Sequence, residues 1–522
     1  MKKFGVPSRV ARLLTLAVAL GASAGVNVAA LGQTAKVPVN APTAPLPNLG
    51  DGSEMAPGAE RRIGDRIAAE LYRDIDYVDD PVIMEYVQGI WQPLLAGARL
   101  RGELPPELDS AYAWEILLGR DRSVNAFALP GAYLGLHLGL VAVVANRDEL
   151  ASVLAHELSH VTQRHISRLM ARQSQQAPLL MGAMILGILA ASKNPGSANA
   201  VIVGGQAMAA QSQLNFSRDM EREADRIGFG VMTQAGFEPQ GFVGMFEKLQ
   251  AATRLNDSGS YPYLRSHPLT TERMADMQAR ISGVHMPPAV PDLDSAQEHA
   301  MISARARVLA NPDVDALHNW SREIQPASLE RKSPSEQVGV LYGATLAAIK
   351  LHDYPQAQIL WNRLAASVRK PAAQAAALLR LLGAEMALAQ GDGRKAETML
   401  FGLDPAGRSV LFLGLQAATL TGHLVQPIQS MQAWVAEHPR DAQGWQLLSS
   451  AYAAQGRKVA AVRAEAESSI AQFDYAGAMI RFKAVQEMAR QSTQPSDHVE
   501  AAIADSRIRQ LESALKEQAA ER

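Results

Sequence analysis

Apolar positions recur at three- and four-residue spacing from about Glu60 onward: Ile63, Ile67 and Leu71, then Ile83, Tyr86, Val87 and Ile90. That period puts one apolar stripe on each of two amphipathic helices within residues 60–100. Between Ala111 and Val144 the rhythm shortens. AWEILL and, after the turn-like SVNAFALPGA, the apolar YLGLHLGLV predict the strands of a small sheet. The helical period returns after the cap-like Asn146-Arg147-Asp148 in LASVLAHELSHVTQRHISRLM, with Leu150, Val153, Leu154, Leu158 and Val161 as a packed face. SRDMEREADRIGFGVM predicts another helix. Between the two, the strongly apolar stretch 177–191 is shorter than the roughly 20 residues that span a bilayer. It reads as a buried helical hairpin or as an amphiphilic flap that touches a membrane or an unfolded client.

After the Pro-rich MPPAVPD (286–292) the chain becomes a series of Ala- and Leu-rich helices with a loose repeat. Ala357 and Ala396 are 39 residues apart and Leu411 and Trp445 are 34 apart, periods typical of stacked helix pairs. Trp445, Leu448, Tyr452, Gly456 and Ala461, preceded by Pro439, resemble a tetratricopeptide signature. Such pairs bury their faces only against neighbours and stack into a solenoid with a concave protein-binding surface. An unrelated helical bundle is the alternative. The pattern divides the chain into a signal and processing region (1–35), an extended arm (36–59) and a first globular domain (60–285). A linker (286–300), a repeat domain (301–491) and a polar tail (492–522) that ends as a frayed helix follow.

A chain of 522 residues exceeds one compact core, at roughly 150 residues per domain, and its 5% aromatic content favours an Ala- and Leu-rich helical protein. The formal charge of −2 lacks the clustered positive charge that phosphate binding needs, so nucleic acid is not an expected partner. Lys2, Lys3, Arg9 and Arg12 precede an apolar run, Leu13 to Ala24, ending in Ala22-Ser23-Ala24. This reads as a cleaved secretory signal, with Ala30 and Ala35 as rival cleavage positions and a permanent anchor as the alternative. There is no cysteine, which removes disulfides, thiolate ligands, cysteine nucleophiles and a lipobox. A soluble exported protein, most naturally periplasmic, is the expectation.

The chemistry concentrates in His156-Glu157-Leu158-Ser159-His160. Positions i and i+4 of a helix point the same way, so both imidazoles can reach one zinc ion while Glu157 lies beside the open coordination position. Zinc lowers the pKa of bound water and polarises a scissile carbonyl; Glu157 takes the proton and can pass it to the leaving amine. A surface helix with two solvated histidines is the alternative. A third ligand is required, and Glu221 and Asp225 lie one turn apart on a later helix. One can bind metal while the other fixes a ligand histidine's tautomer. With Arg218, Arg222 and Arg226 beside them, acids at this spacing alone more often form a solvated, salt-bridged face.

HELSH, the later E-x-x-A-D, the upstream NAFALPGAYLGLHLGLV and the downstream RSHPLTTERMADM together resemble the gluzincin metalloendopeptidases over roughly residues 60–285. The resemblance implies a mainly α fold with a small β-sheet, an HExxH gluzincin domain followed by a tetratricopeptide-like α-solenoid. It implies one Zn2+ per chain held by His156, His160 and Glu221, with Glu157 as base and Asp225 as partner of a ligand histidine. In the family the NAF-x-x-PGG-type segment forms an edge strand beside the cleft, where an unfolded peptide can pair its backbone. This chain departs from the pattern at Ala132, in place of the second glycine, and at His137. His267 could be a turn residue, but the family's periplasmic members that enhance beta-barrel assembly imply that it closes the site as a fourth ligand. Arg273 is expected to fix that loop or contact substrate.

The functional expectation is a periplasmic zinc endopeptidase with a chaperone-like role in outer-membrane protein assembly, degrading misassembled clients. The beta-barrel assembly machinery would dock on the repeats. A repeat-led assembly chaperone with a normally silent peptidase is the alternative.

Overall fold

The computed structural model describes residues 55–173, 217–254, 261–283, 292–368 and 373–520. The expected signal region and the apolar stretch 177–191 lie outside them. Helix α1 (Pro57–Leu71) leads into β1 (Tyr77–Val78), and after helices α2 (Pro81–Leu100) and α3 (Pro106–Ala111) the strands β2 (Glu115–Gly119), β3 (Ala126–Leu129) and β4 (Tyr133–His137) join β1 in one sheet. The strand order is β1-β2-β4-β3, with β2 and β4 parallel and the outer pairs antiparallel. Gly135 makes room for the Phe127 ring across this last pair, because a Cβ there would lie 2.1 Å from it. β3 is therefore held flat against β4 as an edge strand. The tight turn between them puts Gly131 and Ala132 at φ 72° and 60°, a left-handed conformation that costs alanine what glycine tolerates.

Helix α4 (Leu138–Val143) leads into α5 (Arg147–Thr162), which is buried from Glu149 through Thr162. Its start is fixed by Asn146, whose side chain accepts the Glu149 amide at 2.9 Å, satisfying an otherwise unpaired helix donor. Helix α6 (His165–Gln173) follows a break at Arg164. Helices α7 (Arg218–Gln234) and α8 (Gln240–Arg254) then pack on α5. At Gly228 the α7 backbone approaches Ala155 so closely that a Cβ would sit 3.1 Å from its carbonyl. That spacing is what brings the acids of α7 to the histidines of α5. The short α9 (Tyr263–Ser266) and α10 (Thr271–Ser282) close this side.

The rest is helical: α11 (Leu293–Ala310), α12 (Val314–Glu323), α13 (Pro326–Leu329), and then successive pairs. These are α14 (Pro334–Lys350) with α15 (Tyr354–Ser367), α16 (Ala373–Ala389) with α17 (Gly393–Leu400), and α18 (Arg408–Thr421) with α19 (Val425–Glu437). The series ends with α20 (Ala442–Ala454) and α21 (Lys458–Ala471), then α22 (Tyr475–Arg490) and α23 (Pro495–Ala520). Trp445, Leu448 and Tyr452 are buried in α20 against Ile428, Met431 and Val435 of α19 and Ala460, Ala461 and Ala464 of α21.

Three element boundaries differ from the sequence reading. Helix α1 already begins at Pro57, inside the expected arm, since Pro is pre-organised for a helix's first turn. Helix α11 starts at Leu293, inside the expected linker, and is a core element: it packs on α14 and α4, and His299 links Tyr86 Oη (2.7 Å) to the Val144 carbonyl (2.9 Å). The polar tail, expected to end as a frayed helix, is instead the 26-residue α23, anchored by Ala504, Ile508 and Leu511 against Phe482, Val485 and Ala489. Those three buried positions, four and three residues apart, form the stripe that its polar composition hid.

One apolar core runs without interruption from Val82 through Leu158 to Ala417, so the N-terminal and C-terminal halves are packed together. Arginines reinforce the seam. Arg305 grips Asp80 bidentately (2.8 and 2.7 Å) and reaches Glu385 at 2.8 Å; Arg408 grips Asp79 (2.8 Å) and Asp441 (2.8 Å). Arg440 donates to Tyr133 Oη (2.5 Å) and pairs with Glu115 (3.0 Å), the first residues of β4 and β2. Among the described residues, no helix is long and apolar enough to cross a membrane.

Candidate metal centre

His156 and His160 stand one turn apart on α5, with their Nε2 atoms 3.0 Å apart. Glu221, in the first turn of α7, places Oε2 3.5 Å from His156 Nε2 and Oε1 3.5 Å from His160 Nε2. His267, capping the C-terminus of α9, brings Nδ1 to 3.2 Å from His156 Nε2 and 3.1 Å from Glu221 Oε1. All four side chains are buried, and their donor atoms lie within 4.8 Å of one another. A tetrahedral ion with ligand bonds of about 2.0–2.1 Å needs donors roughly 3.3 Å apart. Separations of 3.0 to 3.5 Å fit that requirement, and two neutral-capable imidazoles with a carboxylate are a suitable donor set.

The cluster is held from behind. His156 Nδ1 donates to Asp225 Oδ1 at 2.9 Å, and Asp225 is clamped by Arg273 through Nε (2.6 Å) and Nη2 (2.8 Å). Arg273 Nη1 also lies 2.8 Å from Glu221 Oε2 as an ion pair and donates to the Pro268 carbonyl at 2.8 Å. One buried guanidinium thus fixes both acids and the His267-Pro268 loop. Tyr263 stacks on His267, ring centroids 4.5 Å apart. Burial opposes charge on His156, but its hydrogen bonds to Asp225 and Glu221 outweigh this and raise its pKa to about 9. Burial, with the charge on His156, holds His160 well below its ordinary value. Burial opposes ionisation of Asp225, yet Arg273 pulls its pKa down.

Glu157 accepts the Ala128 amide of edge strand β3 on Oε2 at 3.0 Å. Among the described residues its Oε1 has no hydrogen-bond partner, although it is buried and 3.4 Å from His267 Nε2. A buried carboxylate oxygen without a hydrogen bond costs free energy, and this one faces the ligand cluster.

The structure therefore brings together His156, His160, Glu221 and His267, with Glu157 and Asp225 adjacent. Glu223 stands outside the cluster and pairs with His165 and Arg168, each at 3.0 Å. His137 turns to Ser123 Oγ (3.0 Å) and lies edge-on to Phe127 (5.8 Å). Sequence reasoning missed His165, which is buried with Nδ1 2.9 Å from His160 Nδ1. In an unbroken helix it would lie about 140° around from His160, so spacing carried no signal for it.

A helix-borne His-Glu-x-x-His, a carboxylate from a second helix and an edge strand at the glutamate define a metallopeptidase. Residues 102–281 match Peptidase family M48, and within that segment lies the buried His156, His160, Glu221 and His267 cluster of a metalloendopeptidase. It is similar to the putative beta-barrel assembly-enhancing protease of Vibrio cholerae serotype O1, 32% identical over 327 residues, which span 61% of this chain and 63% of that protein. It is 29% identical over 431 residues to the beta-barrel assembly-enhancing protease of Escherichia coli K12, covering 81% of this chain and 83% of the relative. The mitochondrial metalloendopeptidase OMA1 of Saccharomyces cerevisiae is 29% identical over 198 residues, 37% of this chain and 54% of that one.

Proposed function

We propose that this chain is a zinc-dependent endopeptidase of the periplasm that acts on stalled outer-membrane proteins, its helix pairs serving as tetratricopeptide-like docking for the beta-barrel assembly machinery. The convergence of His156, His160 and Glu221 beside the unpaired Glu157 Oε1 carries the enzymatic part. The similarity to beta-barrel assembly-enhancing proteases supports the client class and the compartment.

Zinc bound by His156, His160 and Glu221 would lower the pKa of a water and polarise a scissile carbonyl. Glu157 takes the water's proton at Oε1 while the Ala128 amide steadies Oε2, and it returns that proton to the leaving amine. Asp225 holds His156 in the tautomer that leaves Nε2 free. The edge of β3 offers its backbone to an extended peptide, which gives tolerance of client sequence. His267 Nδ1 stands where a fourth ligand would, so the resting enzyme is latent until the His267-Pro268 loop withdraws.

Zinc content and casein cleavage, measured together on the mature chain, test this. One zinc per chain is expected, with cleavage lost in Glu157→Gln and raised in His267→Ala. Unchanged or lower activity in His267→Ala would count against latency, and absence of zinc would undo the ligand assignment. The closed fourth position also supports a second reading, a repeat-led assembly chaperone with a silent peptidase. Full biological rescue by Glu157→Gln would favour it.

A further inference from the structure

The two histidines of the His-Glu-x-x-His pair are supported differently. His156 gives its Nδ1 proton straight to a carboxylate, whereas His160 faces a second imidazole: His160 Nδ1 and His165 Nδ1 are 2.9 Å apart. Two facing ring nitrogens bond only when one carries a hydrogen and the other a lone pair. At the far side, His165 Nε2 lies 3.0 Å from Glu223 Oε2, which also takes Arg168 Nη1 at 3.0 Å. A carboxylate so paired accepts, so His165 Nε2 is the donor. With its hydrogen there, a neutral His165 has a bare Nδ1, and His160 must supply the proton at its own Nδ1. That leaves His160 Nε2 bare, the atom that faces His156 and Glu221. A hydrogen on His165 Nδ1 would force the other tautomer on His160 and block the metal side.

This contact exists because the helix breaks. Arg164 takes φ 55°, a strained value for a residue with a side chain, and the break swings His165 to within 4.9 Å of the His160 ring, centroid to centroid. Arg164 is held in that conformation by its own guanidinium, which donates to the Met55 carbonyl, to Glu60 (3.1 Å) and to Ser167 (3.2 Å).

We propose that His165 is a positioning residue of the metal centre, its bare Nδ1 accepting the Nδ1 proton of His160 and thereby fixing the tautomer and ring orientation that turn His160 Nε2 toward the metal. This rests on the reading of His160 as a metal ligand. The kink at Arg164 is the device that delivers it.

The test is zinc affinity of the full mature chain, by competition with a chelator of known affinity, beside the thermal midpoint of each metal-free variant. His165→Leu keeps the volume but removes the acceptor, and should weaken zinc binding by about 10- to 100-fold. His165→Asn, whose Oδ1 can accept in place of Nδ1, should restore affinity to within about threefold of wild type even where its thermal midpoint does not recover, an outcome that a packing role would not give. Wild-type affinity in a folded His165→Leu overturns the proposal, as does loss in both variants alike. Should His165→Leu fail to fold, nitrogen-15 histidine spectra of the wild-type chain decide: His160 protonated at Nδ1 and His165 at Nε2 supports it, and the reverse overturns it. A wild-type chain that binds no zinc overturns the ligand reading instead, and the same spectra still read the His160–His165 tautomers.

Discussion

Arg273 and Arg305 bury the same chemistry in two places, at 4% and 5% exposure. Each grips one aspartate through Nε and Nη2 and reaches a glutamate besides: Asp225 and Glu221 for the first, Asp80 and Glu385 for the second. Their tasks differ. Arg273 gathers acids that work on the metal position, whereas Arg305 ties α2 of the peptidase half to α11 and α16 of the helical half. Burying an ion pair is a poor source of net stability, since desolvation offsets most of the attraction. A docking pair is therefore replaceable in principle by packed apolar groups, and a pair whose carboxylates orient ligands is not.

The sharpest test removes each arginine. Arg273→Ala and Arg305→Ala should each lose about 3–5 kcal/mol in urea denaturation, because the acids stay buried without a partner. Zinc retention against a chelator should separate them: lost in the first, kept in the second. If both lose zinc, the contrast fails. A smaller effect comes from neutralising whole clusters. Arg305→Met with Glu385→Leu and Asp80→Asn, the asparagine keeping the cap on the Ile83 amide, should return to within about 1–2 kcal/mol of wild type. Arg273→Met with Asp225→Asn and Glu221→Gln should recover folding but no metal.

Glu298 shows the seam without a matched cation. Burial pushes its carboxyl up to about 7, against the opposing charge of Arg147. A folded pKa above the ordinary 4.5 means that the folded state binds the proton more tightly. Its stability contribution is complete below 4.5 and is lost as pH rises through about 7. Glu298→Gln should match wild type near pH 4 and exceed it by about 1–2 kcal/mol at pH 8, allowing for partial solvent screening. Equal stability at both pH values would remove the argument. The smallest effect is expected at Ala132→Gly, about 0.5 kcal/mol of stabilisation, as relief of the left-handed strain exceeds the added freedom of the unfolded chain. Thermal denaturation would read it.

The sequence made the ligand cluster legible to the extent that its geometry is helical. His156 with His160, and Glu221 with Asp225, are pairs that a 3.6-residue period places side by side without tertiary information. His267 needed a resemblance, because a loop histidine has no period. Arg273 fixes the His267-Pro268 loop as expected, but His165 and the grip of Arg273 on Asp225 were hidden, one behind a backbone kink and the other behind a contact 48 residues distant in sequence. In the fold, β2, β4 and the buried face of α5 followed from apolar patterning, whereas β1 was not read, β3 lies in a stretch read as a turn, and the end of the second predicted strand, Leu138–Val143, is helix α4. The start of α11 and the anchoring of α23, read only as a frayed helix, did not follow, because turn residues and charge masked short apolar stripes.

The seam also sets an order of assembly. Asp80 and Asp79 open α2 near the start of the chain, while Arg305 and Arg408 lie 225 and 329 residues further on. A chain made or threaded from its N-terminus presents those acids long before their partners exist, and carboxylates without partners stay in water. The N-terminal end of α2 is therefore completed last, when the C-terminal helices arrive, and a chain truncated before them would leave Asp79 and Asp80 without their arginines.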